Sequence, residues 1–308
     1  LVKTGNSEAA NGLKLFQLMK CLNNNLKSIG GRGLVRLIFN TIVVMLIIVG
    51  SSLSSFTMSA PRDHAAVGVA SNFMPTIEAL KKDFEQKTTF TLIIIAGATG
   101  KLYAQIRHGA PIDVFLAADQ ARPEQLDRDG LTVPGSRFCY VTGRLAVWFP
   151  NRTPNSERQE ISQKDAVALL RDSPRIAHAN AAVAPYGLAS VQTLQALGLI
   201  EEVKSRIVRG ENIGQTFGII SSGNADAGFI ALTQAVQQKP LKTSFAAPRN
   251  GQYWLVNATL HEPIYQDAVL LRRAANNPAA KAFMSYLRSA AAREIMRVAG
   301  YSFSDQRP

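Results

Sequence analysis

Two short polar stretches, Ser71-Asn72 and residues 97–100 (Gly-Ala-Thr-Gly), place the hydroxyls of Ser71 and Thr99 just ahead of sequence with helical spacing. A helix start leaves backbone N–H groups without intrahelical partners, and the aligned peptide dipoles make that end partly positive. Hydroxyl and N–H donors that carry no formal charge form a cradle for an anion. Two further stretches share this design: Ala184-Pro185-Tyr186-Gly187 and Gly210-Glu211-Asn212-Ile213-Gly214, each leading into a helical pattern. At Ile213 the side chain reads as core and only the backbone N–H is a candidate donor. Tyr186 reads either as a packed loop aromatic or as part of the site.

Other chemistries find less support. Residues 97–102, GATGKL, imitate the end of a phosphate-binding P-loop, but Ile95 stands where its first Gly belongs and Leu102 where a magnesium-holding Ser or Thr belongs. That leaves Thr99 as a capping hydroxyl at an anion-facing helix start, with the N–H groups of Gly100 and Lys101 behind it. His261-Glu262 opens like a zincin, yet Pro263 breaks the helix and Tyr265 replaces the second His. The four histidines have no common spacing, no Gly-x-Ser-x-Gly elbow is present, and the two cysteines, Cys21 and Cys139, form no metal-ligand pattern. An enzyme acting on a phosphate or carboxylate ester would need a base near Ser71 or Thr99, and the turns supply none except Glu211. No cofactor and no direct side-chain metal ligation are expected.

Positioning these turns requires strands that end beside one another. Residues 67–70 and 90–95 read as apolar strands, each followed by a turn and a helix, and Phe73, Ile77, Leu80 and Phe84 recur at helical spacing as one apolar stripe. Parallel strands joined by helices bring such turns to the carboxyl edge of a sheet, where open α/β sheets bind ligands. Residues 114–117 read as a third strand and 119–130 as a polar helix. In 137–149 two apolar stretches are interrupted at Thr142-Gly143, which suggests a crossing between lobes. The second half repeats the pattern, with strands at 175–179, 226–231 and 253–256 and helices at 189–197, 215–221 and 232–238. A strand at 265–271 then returns to the first lobe, followed by helices at 278–288 and 290–299.

The 308 residues carry a formal charge of +12. Six of the 34 basic residues and one of the 22 acidic ones fall in residues 1–60, and the remaining bases are scattered. A nucleic-acid footprint would cluster them on one face with stacking aromatics, so nucleic acid is not expected as a partner. A basic exterior that draws in anions fits better. Lys27, Arg32 and Arg36 precede an apolar run at 37–50 and a small-residue stretch ending in Met58-Ser59-Ala60. This is the pattern of a secretory signal and predicts export to a periplasm, with retention as a membrane anchor as the alternative. The run is short beside the ~20 apolar residues of a membrane span.

Several motifs in order resemble the periplasmic molybdate-binding proteins of ABC transporters: VASNF at 69–73, GATGKLYAQI at 97–106, GAPIDVFLAADQ at 109–120, GRLAVW at 143–148, PYG at 185–187, GENI at 210–213, AGFIALTQ at 227–234 and QDAVLL at 266–271. The resemblance covers about residues 66–304. It implies a two-lobed α/β fold of the type II periplasmic-binding-protein kind, each lobe a mostly parallel sheet flanked by helices, with the ligand in the cleft. Residues 66–142 and 260–308 then make lobe one, 143–259 make lobe two, and 1–60 are an extension with the signal. Carried over by position, the resemblance implies Ser71, Asn72 and Thr99, and the backbone N–H groups of Tyr186 and Ile213, as contacts to molybdate or tungstate. Ala231 stands where some members have a ligand-contacting Tyr and is set aside. A monomer delivering its oxyanion to a membrane permease and its ATPase is implied, with no enzymatic activity.

Overall fold

The structure, a computed structural model, describes residues 63–150, 160–236 and 251–303. The proposed signal segment lies outside these residues. Among the described residues no helix is long and apolar enough to cross a membrane.

Strand β1 (His64–Ala70) consists of small and apolar residues that, after His64, are buried along its whole length, as expected of a strand covered on both faces. A 3-10 turn (Ser71–Phe73) links it to helix α1 (Met74–Lys87), whose Pro75 occupies the first turn, where its missing N–H costs nothing. The stripe Phe73, Ile77, Leu80 and Phe84 is buried, and the Phe84 ring meets Phe283 edge-on at 5.5 Å. Strand β2 (Thr91–Gly97), helix α2 (Thr99–Arg107), strand β3 (Val114–Leu116), helix α3 (Ala121–Arg128) and strand β4 (Phe138–Gly143) complete the first pass through lobe one.

Arg144 alone separates β4 from β5 (Leu145–Phe149), which belongs to the second sheet. There follow α4 (Gln163–Asp172), β6 (Ile176–Ala179), α5 (Pro185–Ala196), the short α6 (Ile200–Val203), β7 (Ile207–Gly210), α7 (Ile213–Ser221), β8 (Ala227–Ala231), α8 (Leu232–Val236) and β9 (Gln252–Leu255). The chain returns to the first sheet as β10 (Ile264–Leu270) and ends in α9 (Pro278–Leu287) and α10 (Ala290–Val298).

The two sheets have strand orders β2-β1-β3-β10-β4 and β7-β6-β8-β5-β9. In each, three neighbouring strands run parallel and one strand, β10 or β5, is reversed between neighbours of the common direction. Each lobe has its own large apolar core. One is built on β1, α1 and the C-terminal helices, with Phe283 and Met296; the other joins β5, β6 and β8 to α5, with Phe229 and Leu194. The parallel registers Ala70↔Gly97 and Ala179↔Gly210 set the strand ends side by side, so the turns that follow them emerge in pairs.

Candidate functional site

Four helix starts meet between the lobes. From lobe one come the Ser71–Phe73 turn and the start of α2; from lobe two come the starts of α5 and α7. Asn212 caps α7 by accepting the Gln215 N–H at 2.9 Å, while Pro185 opens α5 with its fixed backbone angle. Gly187 is required two residues later. A Cβ there would stand 2.3 Å from the Ala179 carbonyl oxygen, so only glycine lets α5 start this close to the end of β6.

The four starts enclose a small cavity whose lining includes Ser71, Asn72, Thr99, Tyr186 and Ile213 together. All five residues singled out in the sequence thus face one space, although they span more than 140 positions of chain. No Asp, Glu, Lys, Arg, His or Cys lines it. A base for hydrolysis is therefore lacking among the lining groups, and Glu211 forms an ion pair with Lys101. The lysine that imitated a P-loop is engaged in the same pair. Burial pushes the Tyr186 phenol well above its ordinary value, so it stays neutral. Ala231, at the end of β8, is fully buried and is not part of the lining.

The lobes touch across this space. Gly100 donates its N–H to the Val183 carbonyl at 2.9 Å, and Gly214 donates to Ser71 Oγ at 3.3 Å. Arg122 Nη2 reaches the Ala182 carbonyl at 3.1 Å. The cleft is closed in this arrangement.

Three expectations need correction. Thr99 is the first residue of α2 rather than its cap; Ala98 is the N-cap and supplies no side-chain bond. Its Oγ1 instead accepts the Ala118 N–H at 3.1 Å, because β3 ends beside the helix start. Gly100 and Lys101 do not turn their N–H groups to the cavity. The first goes across the cleft to Val183, and the second closes onto the Ala98 carbonyl at 3.0 Å. Tyr186 is not a loop aromatic, since the helix begins at Pro185, four residues before the apolar periodicity suggested.

Asn72 lines the cavity, but its amide nitrogen is engaged with Gln266 Oε1 at 3.0 Å and with Tyr301 Oη at 3.2 Å. Sequence reasoning did not find Gln266, Tyr301 or Tyr140 near the site, nor the cap role of Asn212. Asn212 was legible, as an Asn one residue ahead of a helical pattern. Gln266 left only a faint signal, an uncharged polar residue inside the strand-like run that continues to Leu271.

The profile of the family described as bacterial extracellular solute-binding protein matches residues 65–302. The molybdate-binding protein ModA of Azotobacter vinelandii is 38% identical over 79% of this chain and 91% of its own length. The molybdate-binding protein ModA of Rhodobacter capsulatus is 35% identical over 79% of this chain and 90% of its own length. Among solved structures, the periplasmic molybdate-binding protein of Azotobacter vinelandii superposes with a TM-score of 0.70 at 36% identity, covering 78% of this chain and 100% of that one.

Proposed function

The chain belongs to the bacterial extracellular solute-binding protein family, the substrate-binding, non-enzymatic side of ABC transport, and from that premise we propose that it captures molybdate in the cavity between its lobes. The observation that carries this reading is the lining: hydroxyls and helix starts from both lobes, with no charged side chain among them. A dianion held by neutral donors avoids burying a Lys or Arg that would lie unpaired whenever the site is vacated. The partial positive charge of the helix starts favours the anion, and charge-assisted N–H and O–H bonds are the strong kind.

Each proposed contact has a donor to spare. Ser71 and Thr99 accept bonds from Gly214 and Ala118 through their oxygens, which leaves each hydroxyl proton to point into the cavity. The N–H groups of Tyr186 and Ile213 stand in the first turns of α5 and α7, where no intrahelical carbonyl reaches them. Asn72 contributes through its backbone and holds the turn in place with its side chain. Molybdate and sulfate have the same charge and shape, so selection between them rests on the size of the space, and tungstate, matching molybdate in both, is held alongside it. Delivery to a membrane permease with its ATPase, action as a monomer, and residence in a periplasm after removal of residues 1–60 complete the reading. The description of the solved Azotobacter vinelandii relative as periplasmic and the signal pattern support the residence, and membership of a solute-binding family supports the delivery.

Isothermal titration of the protein with molybdate, tungstate, sulfate and phosphate tests it. Molybdate and tungstate bind with one ion per chain, and sulfate and phosphate bind more weakly by roughly tenfold or more. Preference for sulfate or phosphate, or no heat with any of the four, overturns the assignment.

A further inference from the structure

Behind the cavity, against β10, the polar ends of Asn72, Tyr140, Tyr186, Gln266 and Tyr301 are buried together. Gln266 has no exposed surface and sits at the centre of the group. Its Oε1 accepts from Asn72 Nδ2 at 3.0 Å and from Tyr140 Oη at 3.2 Å, and its Nε2 donates to Tyr186 Oη at 3.2 Å. Asn72 belongs to the lobe-one wall of the cavity and Tyr186 to the lobe-two wall. One side chain thus ties both walls from behind without entering the space between them.

Gly143 lies against the same pair. It is the last residue of β4, just before the chain crosses into lobe two. A Cβ at this position would stand 2.2 Å from Tyr186 Oη and 2.6 Å from Gln266 Nε2. The phenol therefore reaches Gln266 only because residue 143 has no side chain. A buried amide is costly unless bonded, and the Gln266–Tyr186 bond joins a strand of lobe one to a helix of lobe two, so that parting the lobes at this point would cost it. It is a contact that distinguishes the closed state from an open one, which is what shifting that equilibrium requires.

We propose that Gln266 is a positioning residue for closure: its amide, clasping Asn72 on one wall and the Tyr186 hydroxyl on the other, latches the lobes together and sets how long a bound oxyanion stays. The part concerning the ion rests on the function proposed above; the latch itself does not.

The test uses two full-chain variants that leave every cavity-facing donor in place. Tyr186→Phe removes the hydroxyl and keeps the ring and the backbone N–H, while Gly143→Ala drives a methyl between the latch partners. Amide hydrogen exchange at Gly100 and Gly214, whose N–H groups cross the cleft, reads closure directly. Exchange at Val69 and Phe229, inside the two sheets, reads general stability. Both variants are expected to exchange roughly three- to tenfold faster at Gly100 and Gly214, the scale of one net hydrogen bond, with Val69 and Phe229 unchanged. Molybdate release, followed by stopped flow, accelerates by a similar factor with little change in association. Should Gly143→Ala fail to fold, Tyr186→Phe decides alone. Wild-type exchange at Gly100 and Gly214 in Tyr186→Phe overturns the latch, as does equal acceleration at Val69 and Phe229. If wild-type protein binds no molybdate, exchange still decides the latch, and the oxyanion reading falls separately.

Discussion

At Thr99 one hydroxyl serves two sides. Its oxygen takes the Ala118 N–H, and among the described residues no acceptor is bonded to its proton, which leaves that proton for an anion. Thr99→Ser keeps both roles and is expected to retain affinity and stability. Thr99→Val keeps the shape but loses the donor and strands the Ala118 N–H. Affinity should fall by about 1.5–3 kcal/mol, the range for a bond to a charged group, and unliganded stability by about 1 kcal/mol. Titration with molybdate and melting without it, on the same proteins, separate the two losses. Wild-type affinity in Thr99→Val means the hydroxyl does not face the ion. The buried phenols nearby do not complicate this reading, because burial raises the Tyr140 and Tyr186 pKa values well above ordinary and no proton changes hands at neutral pH.

At the scale of elements, the site depends on strands whose ends carry the turns, and β6 has a titratable group of its own. His178 lies inside β6, buried, with its Nδ1 at 2.7 Å from the Ala179 carbonyl. Burial lowers its pKa below the usual 6.5, the carbonyl bond opposes that shift, and Arg209 on the neighbouring strand adds to it. The native state therefore holds the neutral ring, while the unfolded chain takes up a proton near pH 6.5. Stability must fall as pH drops through that value, because the unfolded state then binds more protons. Thermal melting between pH 7.5 and pH 5.5 should show this decline, and His178→Gln should flatten it. An unchanged slope in the variant would assign the decline to other groups.

At the scale of the molecule, the two sheets are joined through Arg144 on one crossing and through residues 256–263 on the other, and the cavity draws on both lobes. An ion that bonds to both lobes at once favours the closed arrangement by contacts an open one does not offer. Small-angle scattering of the whole chain should show a smaller radius of gyration with saturating molybdate than without it. An identical radius, with binding confirmed by titration, would point to a cleft that closes without the ion. The excess of basic over acidic residues that remains outside residues 1–60 bears on encounter rather than grip: it raises the local concentration of anions, and added salt should slow association more than it speeds release.

Residue order alone was enough to determine the repeated strand, turn and helix, because apolar periodicity and small polar breaks are local properties of the chain. It also placed the turns that hold Ser71, Thr99 and Ile213 ahead of helices, since unpaired N–H groups belong to any such start, whereas Tyr186 was singled out only by the family resemblance. Residue order could not show where a side chain's second bond goes. Thr99 reads equally as a cap or as a donor until β3 is seen to end beside it, and the resemblance that offers Asn72 as a contact does not show that its amide is held by Gln266 and Tyr301. Gln266 follows Asn72 by 194 positions and Tyr186 by 80, and Gly143 meets them both only where the chain changes lobes. Those contacts arise from the packing of β10 between β3 and β4, a long-range arrangement with no local signature, and so tertiary structure alone decided how the two walls are held together.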